Sequence, residues 1–160
     1  MDEHGAPLEG RCTCGAVRYR LTAPPLFVHC CHCSWCRRES GSAFAVNALI
    51  ESDRLVLAAG APETVTTPSA SGRGQKVVRC RDCRVALWSH YAGSGDPIAF
   101  VRVGTLGEPH GVAPDVHIFT STKLPWVVLP DSVPAFPGYY RLEELWPAAS
   151  LERRARALGR

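Results

Sequence analysis

The chain has no apolar run long enough to span a bilayer, so a membrane-embedded protein is not expected. Its first residues, Met1-Asp2-Glu3-His4-Gly5, carry neither the basic nor the apolar region of a signal peptide, and the expected location is the cytoplasm. There is no internal repeat and no composition shift that would mark a second domain; 160 residues suit one domain with a core of its own. The formal charge of +3 is mild and rests almost wholly on arginines scattered among acidic residues. A dense basic stripe with interleaved aromatics is missing, which argues against a nucleic-acid partner. Helix signals are scarce as well.

What the chain has is cysteine, eight of them, in three tight groups: Cys12/Cys14, Cys30/Cys31/Cys33/Cys36 and Cys80/Cys83. Disulfide frameworks spread cysteines so that distant segments are stapled, whereas close pairs offer two thiolates to one cation from a single turn. In a reducing compartment the reading is metal, with zinc the leading ion for thiolate sets that lack redox motifs. C-x-C at Cys12/Cys14 together with C-x-x-C at Cys80/Cys83 supplies the four thiolates of a closed structural zinc. Cys31, Cys33 and Cys36 form C-x-C-x-x-C and offer three ligands, leaving a position for water or substrate, as in catalytic zinc sites. The alternative is a second closed site completed by Cys30 or His32. Neighbours in an extended segment point to opposite sides, so Cys30 does not easily join Cys31 on one ion; it is expected to be a small buried apolar residue, with a regulatory thiol the alternative.

Strands are expected at Ala16 to Leu21, Lys76 to Arg79, Val85 to Tyr91 and Ile98 to Val103, from alternation and from β-branched and aromatic content. Thr67 to Gly74 reads as an exposed loop. One or two helical turns are expected over Ser34 to Ser40, carrying Cys36 with Arg37 and Arg38 beside it. A terminal amphipathic helix opened by Pro147 runs to Leu158, read as a solvated cap. Trp35, Phe44, Trp88 and Trp126 are expected to pack in the core or line a pocket. His90, His110 and His117 have no partner motif and receive no function.

These residues carry a resemblance. Gly10-Arg11-Cys12-Thr13-Cys14-Gly15-Ala16-Val17-Arg18-Tyr19, then Cys31-His32-Cys33-Ser34-Trp35-Cys36-Arg37-Arg38 with Gly41 and Phe44, Arg79-Cys80-Arg81-Asp82-Cys83, Gly104-Thr105-Leu106, and His117-Ile118-Phe119 with Lys123-Leu124-Pro125-Trp126 resemble the glutathione-dependent formaldehyde-activating enzyme family, grouped with the centromere-protein-V-like domains. The resemblance implies a mainly β, single-domain fold of the Mss4-like type with zinc knuckles and few short helices. It also implies two zinc ions per chain, partitioned as above, and carbon-sulfur lyase chemistry on a glutathione adduct of formaldehyde. On this reading residues 10–137 form the zinc domain, 1–9 an N-terminal extension and 138–160 a C-terminal extension with a helical cap. One departure is specific: the second knuckle of the family runs C-x-x-C-G, and here Arg84 replaces the glycine.

Chemistry argues for thiols independently. Three thiolates leave a zinc centre formally negative, a poor activator of water and a good partner for a fourth sulfur. A thiol such as glutathione, held as thiolate, could attack formaldehyde to give the hydroxymethyl thioether, and the reverse cleavage would use the same contacts. His32 or His29 could move the hydroxyl proton, and Arg37 or Arg38 could pair with substrate carboxylates. The competing class is a non-catalytic zinc module that binds a protein or nucleic-acid partner.

Overall fold

The computed structural model describes residues 7–107 and 111–160. Met1 to Gly5 and His110 lie outside the described residues. Among the described residues ten strands make two sheets. The smaller is antiparallel, with β1 (Leu8–Arg11), β2 (Arg18–Leu21) and β5 (Leu55–Ala59) in that order. The larger contains β3 (Phe27–Cys31), β4 (Ala45–Glu51), β6 (Glu63–Thr67), β7 (Gln75–Arg79), β8 (Ala86–Tyr91), β9 (Ile98–Arg102) and β10 (Val116–Ile118), ordered β10-β3-β4-β9-β8-β7-β6. Its pairs are antiparallel except β10 on β3, which is parallel. Helices are few and short: α1 (Ser34–Ser40), α2 (Leu142–Leu145) and α3 (Ala148–Ala157). No helix among the described residues is long and apolar enough to cross a membrane. The domain is small and mostly β.

Each face of the larger sheet has its own core, and the alternation of side chains along a strand assigns residues to them. One face meets the smaller sheet: Val28, Ala48, Ile50, Val78, Trp88, Ala99 and Val101 pack against Leu8, Val17, Tyr19 and Leu21. Tyr19 crosses this layer, edge-on to Trp88 with ring centroids 5.5 Å apart and its hydroxyl 2.6 Å from Thr105 Oγ1. Gly10 faces its ring so closely that a Cβ there would sit 2.2 Å from Tyr19 Cζ, so no side chain fits at that position of β1. The opposite face is covered by the C-terminal segment, where Phe27, Leu49, Ile98, Val116 and Ile118 pack with Tyr140, Trp146 and the apolar side of α2 and α3. Arg153 on α3 clamps Glu51 of β4 through two hydrogen bonds of 2.8 and 2.7 Å.

The strands expected at Lys76, Val85 and Ile98 are present with bounds shifted by a residue or so, while the first is shorter than expected and starts at Arg18. The segment between β6 and β7 is a loop, α1 covers the expected turns, and α3 follows Pro147. Trp88 lies in the core, but Trp35 and Trp126 are 41% and 70% exposed and do not pack as core residues; Trp35 stands in the first turn of α1 and Trp126 in a turn outside the sheets.

Candidate metal centres

Four sulfurs from two distant turns converge between the sheets. Cys12 and Cys14 follow β1 of the smaller sheet, Cys80 and Cys83 follow β7 of the larger, and the four Sγ atoms lie within 4.8 Å of one another. Cys12 and Cys14 Sγ are 3.4 Å apart and Cys14 and Cys80 Sγ 3.7 Å, close to the ~3.8 Å expected of thiolates sharing one tetrahedral zinc at about 2.3 Å. The two turns are built alike. In each, the amide of the first cysteine donates to a carbonyl five residues on: Cys12 to Val17 and Cys80 to Val85, both at 3.1 Å. In each, a residue with left-handed backbone closes the turn by donating back to the first cysteine carbonyl: Gly15 to Cys12 and Arg84 to Cys80.

Gly15 has φ 77° and Arg84 φ 62°. Arg84 therefore adopts the conformation that glycine takes freely, at a cost of roughly 1–2 kcal/mol for a side-chain-bearing residue. Its guanidinium turns to an ion pair with Glu63 on the neighbouring strand. Inside the turns, amides reach the sulfurs: Val17 N–H donates to Cys12 Sγ at 3.3 Å, and the amides of Cys14 and Val85 hold the Cys83 thiol down to about 6. These amides favour thiolate, the ligand form of cysteine, at Cys12 and Cys83, whereas the contacts with Cys12 and Cys83 push the Cys14 thiol up.

On the opposite face lies a second group. Cys31 ends β3, Cys33 caps α1 by accepting from the Cys36 amide at 3.3 Å, and Cys36 stands in its first turn, so strand end and helix start bring three sulfurs within 4.8 Å. Among the described residues no other Cys, His, Asp or Glu donor joins them. Cys31 is buried, whereas Cys33 and Cys36 are partly accessible. Hydrogen bonds from Cys31 and Cys36 pull the Cys33 thiol far down, while those same contacts and burial push Cys31 up. Gly41, at φ 63°, ends α1 by donating to Arg37 O, which keeps the helix short.

Beside this trio runs a polar lane that the sequence did not reveal. Asn47 of β4, Arg102 of β9 and Ser89 of β8 are 3%, 8% and 0% exposed. Arg102 binds Asn47 Oδ1 through Nη1 and Ser89 Oγ through Nη2, the latter at 3.0 Å. Its charge reaches Cys36 and opposes the rise that Cys33 and burial impose on that thiol. The clue was a charged residue ending the apolar run Ile98 to Val101, at the inward-facing parity of Ile98 and Phe100.

Two expected proton carriers are placed otherwise. His29 is 2% exposed, with Nε2 2.7 Å from Tyr140 Oη, and burial lowers it to about 4, so it is a neutral structural imidazole. His32, one residue past β3, groups with Cys30 rather than with the trio, as alternation along the chain leads one to expect. Cys30, His32 and His117 converge: Cys30 Sγ is 3.6 Å from His32 Nε2, which lies 3.0 Å from His117 Nδ1. Neither Cys30 nor His32 groups with Cys31, Cys33 and Cys36. His117, left without a role in sequence, acquires neighbours because parallel pairing sets it beside Cys30. Arg37 and Arg38 make no ion pair among the described residues, and Arg38 is exposed near the trio.

A small mostly β domain with paired cysteine turns and a separate cysteine trio defines a class, and the comparisons identify it. The chain belongs to the glutathione-dependent formaldehyde-activating enzyme family, which matches residues 7–122. It is 31% identical over 128 residues to a curated protein of Halomonas elongata named "Putative glutathione-dependent formaldehyde-activating enzyme", covering 75% of this chain and 79% of that one. A crystal structure of a Rhodobacter sphaeroides protein is similar over 81% of this chain and 100% of its own, with a TM-score of 0.46 and 21% identity.

Proposed function

We propose that this protein is a zinc-dependent carbon-sulfur lyase acting on a thiol adduct of a small aldehyde, with glutathione, formaldehyde and S-(hydroxymethyl)glutathione as the family's reaction. The observation that carries the reading is the convergence of Cys31, Cys33 and Cys36 without a fourth donor among the described residues. In this account Cys12, Cys14, Cys80 and Cys83 hold a structural zinc, Cys31, Cys33 and Cys36 hold a zinc with an open position, and the enzyme works in the cytoplasm with a small thiol as its partner. The all-sulfur donor sets suit a soft or borderline ion, and the short sulfur contacts suit its size. Zinc held by the trio would keep a substrate thiol in its nucleophilic thiolate form near neutral pH.

The chain's own residues supply the rest. Cys31 fixes the buried end of the trio on the rigid sheet, while Cys33 and Cys36 present its accessible side. Arg102, held by Asn47 and Ser89, contributes a fixed positive charge that favours thiolate at Cys36 and at a substrate sulfur beside it. Arg37 or Arg38, on α1 with Cys36, would pair with a substrate carboxylate, and Arg38 is the more exposed of the two. Addition of the thiolate to formaldehyde places negative charge on the carbonyl oxygen, and the proton it takes comes from solvent at this accessible edge, since His29 is tied to Tyr140 and His32 groups with Cys30 rather than with the trio.

The test follows adduct formation from glutathione and formaldehyde by NMR exchange spectroscopy. Wild type should accelerate exchange above the spontaneous rate, while Cys33→Ser and Cys36→Ser return it to that rate. Equal exchange with wild type and buffer would overturn the proposal.

A further inference from the structure

We propose that Cys30, His32 and His117 form a third metal site, for a zinc-class divalent ion, back to back with the trio across β3. Alternation along the chain builds it. Cys30 and His32 fall on one side and Cys31 and Cys33 on the other, so one four-residue run feeds two separate donor sets. His117 joins from β10, where the parallel register sets it opposite Cys30. β10 is anchored on its other side at this point: His117 N–H donates to Pro134 O at 2.8 Å, and its carbonyl accepts from Phe136 N–H at 2.9 Å.

The distances suit a shared ion. Two imidazole nitrogens on one tetrahedral zinc lie about 3.3 Å apart, and a thiolate sulfur and an imidazole nitrogen about 3.6 Å apart. His32 Nε2 is 3.0 Å from His117 Nδ1 and 3.6 Å from Cys30 Sγ. His32 Nε2 is therefore the meeting point of two other potential ligand atoms, whereas a hydrogen-bonded imidazole nitrogen needs only one partner. All three residues are buried, at 1%, 0% and 7% exposure, with His117 the least covered. One thiolate and two imidazoles with no carboxylate exclude calcium and magnesium chemistry and suit zinc, cobalt or copper. Such an ion would clip the three-residue edge strand β10 to β3 and thereby fix the segment that follows Ile118.

The other two centres contain only sulfur donors, and this makes the third one separately visible. Untagged protein saturated with zinc and freed of excess should hold three zinc ions per chain by native mass spectrometry. Its zinc-edge X-ray absorption should show the outer-shell scattering of coordinated imidazole. In His117→Phe, checked for a native circular dichroism spectrum, the count should fall to two and the imidazole signal should largely disappear. His90→Phe, remote from the cluster, should change neither and controls for casual surface binding. Two ions per chain in wild type without imidazole scattering would overturn the site, as would an imidazole signal that survives unchanged in His117→Phe. Neither result depends on lyase turnover.

Discussion

The two cysteine centres solve different problems with the same ligand. The quartet gathers sulfurs from positions 66 residues apart in sequence, Cys14 and Cys80 being neighbours in space, and ties the smaller sheet to the larger. The trio comes from one six-residue run and ties nothing together that the strand end and helix start do not already join. Ligands that close a long loop contribute to the stability of the fold, since metal binding free energy becomes folding free energy when the site does not exist in the unfolded chain. Ligands from one segment cost little to assemble and leave the ion free for chemistry. Stability and reactivity are thus expected to separate cleanly between the two groups.

The largest effect should follow from breaking the quartet. In Cys80→Ser we expect loss of a cooperative thermal transition and of native near-ultraviolet circular dichroism, because structural zinc contributes on the order of 10 kcal/mol, comparable with the whole stability of a domain. Breaking the trio should do the reverse. Cys33→Ser should keep a melting temperature within a few degrees of wild type and lose one zinc per chain, with adduct exchange at the spontaneous rate.

A smaller effect concerns the C-terminal segment, which is anchored to β4 without any cysteine. Burial alone would raise the Glu51 carboxyl, but the two hydrogen bonds from Arg153 outweigh it and hold it below its ordinary value. A carboxyl lowered in the folded state stabilises above its unfolded pKa of about 4.3, and that contribution is lost as pH falls through the folded value. Arg153→Met should therefore cost about 2 kcal/mol at pH 7 by urea unfolding, in the range of a charged hydrogen-bonded pair, and the difference from wild type should shrink below about pH 4.

The smallest effect concerns the two knuckles themselves, which differ in the residue that takes left-handed backbone. Arg84→Gly should relieve the strain that Gly15 avoids at the corresponding place and lose only an exposed ion pair to Glu63, for a net gain of about 1 kcal/mol in chemical unfolding.

Sequence spacing made the cysteine groups legible because knuckle ligands are local, and strands that alternate, such as β2, were legible for the same reason. The strands that position the trio were not: β3 is buried at all five residues, so it shows no alternation, and β4 is nearly so. Contacts that cross the chain were invisible as well. His117 meets His32 across 85 residues, through a parallel pairing of three residues that no local pattern announces. Arg102 fell inside an expected strand with no role attached, yet it faces Asn47 and Ser89 inside the sheet because strand register, not composition, sets its neighbours. The arginine after Cys83 was visible as a departure from the family's glycine, and its backbone shows that the knuckle keeps its geometry and bears the strain instead.

On the proposed function the quartet is closed and the trio open. A glutathione titration followed by X-ray absorption at the zinc edge tests it most directly, on wild type and on Cys33→Ser. Wild type should gain sulfur neighbours as glutathione saturates, and Cys33→Ser, left with the quartet intact, should not. A wild-type sulfur count that ignores glutathione would contradict it.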